Sequence, residues 1–312
     1  CAAVTECGAY AGLAAGGPVA GGLLAGALAV RGPAAGWTSM WQLATTVLIG
    51  VAISQLAWAC GSPALARKRE SSPAARIRQA LRLPYGGRIL LIALAAPVLG
   101  ARSTLFGLLG CAIIAACGAI VAGLAKPAAS RVARVVVACR DDGPIATRIG
   151  RLIRGQLPPL PPALTGIAAV AVLALLGLRS LTGFLLLAPV AAILLAAVGS
   201  SHPHDGRLDW IVPIMLQAGQ FAYIAAIGFA AGVPAPLVFG LCALITLHYA
   251  DLAGHPVPGA AMGWEGRMIA AGLGAALGLA TFGYLLLAAY LGVLIGREIM
   301  TSWLAATEGD RR

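Results

Sequence analysis

Apolar residues fill most of the chain, and they come in runs. Ten runs approach the roughly 20 residues that an α-helix needs to cross the hydrocarbon of a bilayer. They cover 8–30, 40–60, 88–101, 103–125, 163–178, 181–198, 211–232, 234–250, 268–280 and 281–299. Only Arg102-Ser103 separates the third from the fourth, and Thr281 alone marks the break between the last two. Tight helical hairpins are expected at both places. The expected fold class is all-α, a polytopic membrane bundle of about ten spans.

One segment departs from this pattern. Asp141 to Gly155 reads DDGPIATRIGRLIRG. Ile145, Ile149 and Ile153 recur every four residues and share one helical face, with Leu152 at its edge. Arg148, Arg151 and Arg154 share the other side. The spacing predicts a basic amphipathic helix lying in the membrane interface. Asp141 and Asp142 precede it, where they suit its free amides and the positive end of its dipole. The proline-rich LPPLPP at 157–162 then turns the chain into the fifth span. Three parts follow: a first membrane unit over 1–125, the interfacial helix and linker over 126–162, and a second unit of six spans over 163–312.

Composition agrees with a membrane location. Of 312 residues, 60% are hydrophobic and 11% charged, against about 45–50% and 25% in soluble domains. An ordinary soluble enzyme, a disordered chain and a coiled coil are excluded. The net charge of +11 comes without the interleaved aromatic residues of a nucleic-acid surface, so basic loops beside an anionic leaflet explain it. With the spans placed as above, 19 of the 22 basic residues fall on one side and three, Arg31, Arg102 and Arg179, on the other. That asymmetry predicts a multi-pass protein of the cell membrane with its C-terminus in the cytoplasm. All 11 acidic residues and all four histidines fall on the basic side. Any chemistry is expected there, and a charge-free midplane argues against an ion-coupled transporter. The seven cysteines lack C-x-x-C spacing and fit small buried residues.

The chain also resembles itself. Ala9-Tyr10 in ECGAYAGLAAG parallels Ala222-Tyr223 in QAGQFAYIAAIG. Pro84-Tyr85-Gly86-Gly87-Arg88 parallels Gly263-Trp264-Glu265-Gly266-Arg267, and each Gly-Arg pair opens a two-span hairpin. Spans one to four then match spans seven to ten. The pair matching spans five and six is expected upstream of Cys1, in a longer polypeptide. Arg88 and Arg267 fit interface anchors whose heads reach the headgroups.

The densest polar stretch is Ser200 to Trp210, SSHPHDGRLDW. Asp205 and Asp209 are four apart, so on a helix they share a face and could hold one divalent cation. His202 and His204 stand close enough to assist as ligands or bases. The alternative is a solvated capping loop, with Asp209 paired to Arg207. Trp210 fits an interfacial anchor. Between spans eight and nine, His248, Asp251, His255, Trp264 and Glu265 fit solvated loop positions, and no zinc-binding pattern occurs there.

The succession of Asp141, LPPLPPAL, SSHPHDGRLDWIVP and GWEGRM resembles the actinobacterial membrane domain of unknown function 5941, over roughly 140–305. That family is associated with chains that also carry nucleotidyltransferase-like or CDP-alcohol phosphatidyltransferase-like regions. The order of an interfacial helix and six spans is also similar to the CDP-alcohol phosphatidyltransferases. Their cytoplasmic di-metal pocket uses D-x-x-D-G-x-x-A-R followed by G-x-x-x-D-x-x-x-D. The resemblance implies Asp205, Asp209 and His202 as ligands of Mg²⁺ or Mn²⁺, and Asp209 as the base for the acceptor alcohol. By charge and by their place on the basic side, Arg148, Arg151, Arg207 and Arg267 are the candidate binders for the phosphates of a CDP-linked lipid or alcohol. Ser201 replaces the second motif's glycine, and Asp142-Gly143-Pro144-Ile145-Ala146 is only a partial echo of the first. The expected function is therefore a membrane domain tied to phospholipid head-group synthesis, present here as a degenerate or accessory unit. The alternatives are a non-catalytic scaffold for an enzymatic partner and, third, a transporter or flippase. Membrane lipids, an upstream domain of the same polypeptide and a second copy of the chain are the expected partners; nucleic acid is not.

Overall fold

The computed structural model describes residues 7, 9–11, 34–61, 85–124, 141–152, 160–175, 187–197, 209–252 and 262–309. These form α1 (Ala34–Gly61), α2 (Tyr85–Leu99), α3 (Ala101–Leu124), α4 (Pro144–Leu152), α5 (Leu160–Leu175) and α6 (Ala188–Ala197). A 3₁₀ turn over Asp209–Ile211 leads into α7 (Val212–Ala230), followed by α8 (Ala235–Leu252), α9 (Gly263–Ala276) and α10 (Ala280–Gly309). The described chain is all-helical, with no strand among the described residues. Among the described residues, four stretches are long and apolar enough to cross a membrane: Met40–Cys60, Ala101–Leu124, Asp209–Ala230 and Ala280–Glu298. Ala235–Ala250 is a shorter apolar helix.

α7 is the centre of the bundle. It packs against α1, α5, α6, α8, α9 and α10. Its spanning stretch is 72% buried, against 22% for that of α10. α10 and α3 are peripheral, and they turn Phe282, Leu285 and Val293, and Phe106, Ile113 and Val121, outward. In water such faces would drive association; in a bilayer they meet lipid.

Both expected hairpins are present, with breaks that differ from the sequence expectation. α2 ends at Gly100, whose φ of +80° lets the chain reverse at a conformation costly for residues with a Cβ. Arg102 and Ser103 already lie within α3. The α9–α10 reversal falls at Leu277–Leu279 around Gly278, φ +74°, ahead of Thr281. Pro161 and Pro162 lie in the first turn of α5, where a missing amide hydrogen costs nothing. They open α5 rather than precede it.

Close helix approach in the core is set by small residues. A Cβ on Gly272 of α9 would lie 2.3 Å from the Tyr223 hydroxyl. One on Gly228 of α7 would lie 2.7 Å from Val238. The Tyr284 hydroxyl of α10 donates to the Ile224 carbonyl of α7, which satisfies a buried polar group in an apolar setting.

Candidate functional site

The turns at Gly100, 231–234 and 277–279 share one end of the bundle. The opposite end collects the start of α7, the close of α8, the start of α9 and the end of α3. Trp210, just ahead of α7, lies against Gly123 near the end of α3. His248, near the close of α8, lies 3.5 Å from Asp141. Arg102 sits beside the Gly100 turn, whereas Arg88, Asp141, Asp142, Asp209, Glu265, Arg267 and Arg297 belong to the other end.

The best-defined feature of that charged end is a junction between residues 141–146 and 262–267. Two glycines make it possible. Gly263 has φ +71°, and a Cβ there would lie 2.2 Å from the Gly143 nitrogen. A Cβ on Gly143 would lie 2.4 Å from the Met262 carbonyl. With the backbones this close, the Trp264 amide donates to the Asp141 carbonyl at 3.1 Å. The Trp264 indole N–H donates to Asp142 Oδ1 at 3.2 Å. The Glu265 carboxylate accepts the Gly143 amide on Oε2 at 3.0 Å and the Ala146 amide on Oε1 at 3.1 Å. Free amides at a helix start need such an acceptor, and here it comes from a different helix.

Beneath this cap lies a polar chain. Arg267 Nη2 donates to Asp141 Oδ2, to the Tyr249 hydroxyl at 3.1 Å and to Gln220 Oε1 at 3.5 Å. The Tyr249 hydroxyl donates to Gln220 Oε1 at 2.7 Å. The guanidinium carbon also stands 5.7 Å from the Tyr249 ring centroid. Gln220 is two turns into α7, about 12 Å below its start at 1.5 Å per residue. Arg267 and Glu265 are both fully buried. Burial works to raise the Asp141 carboxyl, but the Arg267 and His248 charges and hydrogen bonds prevail and hold it below the usual 3.8. Burial raises the Glu265 carboxyl above 4.5, outweighing the amides of Ala146 and Gly143 that lower it.

Several sequence expectations change here. Asp141 and Asp142 do not cap α4, because Glu265 takes its amides while they bind Arg267 and Trp264. Arg267 and Arg88 are buried rather than extended to the interface. His248, Trp264 and Glu265 are buried rather than solvated. Trp210 is a core residue instead of a surface anchor, packed with Trp58, Ala119 and Ile214.

Among the described residues, the candidate site residues occupy separate places. Arg148 and Arg151 are exposed on α4. Arg267 joins Asp141, Tyr249 and Gln220. Asp209 is buried in the 3₁₀ turn beside Trp210. His202, Asp205 and Arg207 lie outside the described residues, as does His255. Among the described residues no three His, Cys, Asp or Glu side chains converge as a metal site would require. Glu265, Tyr249 and Gln220 were missed as interacting groups. The signal for Glu265 was GWEGRM, where two glycines flank Trp264-Glu265 just before an apolar run. Tyr249 and Gln220 gave none, being single polar positions inside apolar runs.

No characterised protein and no solved structure matches the chain. A family model does, over residues 130–310. That range starts shortly before Asp141 and runs past the end of α10 at Gly309, so it contains both halves of the Gly143–Gly263 junction and the polar chain beneath it. By this match the chain belongs to a family of unknown function, DUF5941.

Proposed function

We propose that this chain is a membrane domain related to the CDP-alcohol phosphatidyltransferases, serving phospholipid head-group synthesis as an accessory unit without catalysis of its own. The observation that carries the proposal is the use made of Asp142-Gly143-x-x-Ala146, the partial echo of the catalytic motif. In a catalytic pocket its aspartate would face a metal. Here Asp142 accepts the Trp264 indole, Gly143 abuts Gly263, and the Ala146 amide is taken by Glu265. Asp141 is spent on Arg267. Three carboxylates of this end thus build an internal junction.

The proposal includes about ten spans in two related units, with the charged end in the cytoplasm and the chain in the cell membrane. Support for the repeat comes from matched features. Arg88 and Arg267 are both buried near the start of a hairpin's first helix, and the hairpins turn at Gly100 and Gly278. Tyr10 and Tyr223, paired by the sequence repeat, are both fully buried.

The test is CMP release from a CDP-linked lipid in proteoliposomes with Mg²⁺ or Mn²⁺, comparing the chain with Asp209→Asn. No release from either folded protein is expected. Release that disappears in Asp209→Asn would make this unit an enzyme with an Asp/His site and overturn the accessory assignment.

A further inference from the structure

Helix α4 has three faces rather than two. At about 100° per residue, Ala146 and Gly150 fall on one side, and both are buried where α4 packs on α9 and α6. Ile145 and Leu152 form a second face, 39% and 81% exposed, with the partly buried Ile149 at its edge. Arg148 and Arg151, one turn apart and both exposed, form the third, beside the apolar one. A soluble helix does not gain by exposing Leu152 and Ile145 next to two arginines. A helix at the level of lipid phosphates does, because each face then meets its own medium. The Glu265 cap and the Gly143–Gly263 contact fix its start at the charged end of the spanning helices.

We propose that α4 is a docking element for anionic phospholipid of the surrounding bilayer. Arg148 and Arg151 hold headgroup phosphates through charge-assisted hydrogen bonds, and Ile145 and Leu152 lie among the upper acyl carbons. The two arginines face away from the helix's contact with α9, so they are separated from Arg267 and do not share one ligand with it. The inference is independent of whether the chain catalyses anything.

The full chain would be placed in nanodiscs of equal phosphatidylglycerol and phosphatidylcholine, and the lipids that stay bound on release counted by native mass spectrometry. The wild type is expected to retain phosphatidylglycerol preferentially. Arg148→Gln with Arg151→Gln should reduce that preference by about fivefold or more, the scale of a basic residue near an anionic surface. Arg297→Gln, which removes another exposed arginine at the same end, should leave it unchanged. Both arginines of α4 are exposed, so the double variant should keep the wild-type helical circular dichroism and elution volume. No preference in the wild type, an unchanged preference in the double variant, or an equal loss in Arg297→Gln would each overturn the proposal.

Discussion

Two junctions hold the charged end of the bundle, one around Arg267 and one around Trp210. They solve the same packing problem with opposite chemistry. At the first, 141–146 meets α9 through a capped helix start and a buried ion pair, Asp141 with Arg267. At the second, Trp210 fits against Gly123 of α3, with Trp58 and Ala119 around it. Each depends on a glycine at the point of contact. The difference lies in what a failed contact leaves behind. A lost apolar contact leaves a gap or a clash, while a lost polar one leaves a charge with nowhere to go.

The sharpest way to break this comparison is therefore Arg267→Ala. It leaves Asp141 in a buried site without its guanidinium partner, with His248 3.5 Å away, and should destabilise the protein by about 4 kcal/mol, measured by SDS-titration unfolding in mixed micelles. Arg267→Met combined with Asp141→Leu removes both charges and should recover most of that loss. If the single and double variants are equally unstable, the pair's role is packing rather than charge compensation.

Adding one methyl group probes both junctions alike. Gly263→Ala imposes a left-handed conformation on alanine and drives its Cβ to 2.2 Å from the Gly143 backbone, which cannot move aside. A loss of about 3 kcal/mol is expected. Gly123→Ala brings its Cβ to 2.2 Å from the Trp210 ring, but a side chain can tilt, so about 2 kcal/mol is expected. The same unfolding titration ranks them, and the reverse order would mean that the Trp210 junction is the stiffer one.

The comparison also explains what was legible beforehand. Long apolar runs exposed the all-helical class and the hairpins, because a spanning helix must be apolar along its length. The exact turns were not legible from charge, since Arg102 is tolerated inside α3 while the reversal needed the backbone freedom of Gly100. Helix α4 was legible in the spacing of Ile145, Ile149 and Arg148. Its cap was not, because the nearest acids in sequence were Asp141 and Asp142, and Glu265 reaches α4 only after α9 has folded beside it. Arg267 was singled out as a ligand binder on its charge alone. Its partners Tyr249 and Gln220 come from two other helices, and a single sequence carries no record of which isolated polar positions will meet in a bundle.

The smallest effect sets the two carboxylates of the polar junction against each other. Asp141 is held below 3.8, so its contribution is present above that pH and is lost as pH falls through its lower folded value. Glu265 is raised above 4.5, so its contribution is fullest below that pH and fades as pH climbs through its higher folded value. Acidification from neutral should thus first strengthen the junction through Glu265, then weaken it below 3.8 through Asp141. Thermal unfolding across this range should show a Tm that rises and then turns down. Glu265→Gln should flatten the rise, and Asp141→Asn the downturn. Gly123→Ala should lower the whole curve without changing its shape, because the indole contact it disturbs neither gains nor loses a proton in this range. A wild-type curve that only falls on acidification would mean that Glu265 binds its proton no more tightly in the fold than in the open chain, and that its two amide bonds outweigh its burial.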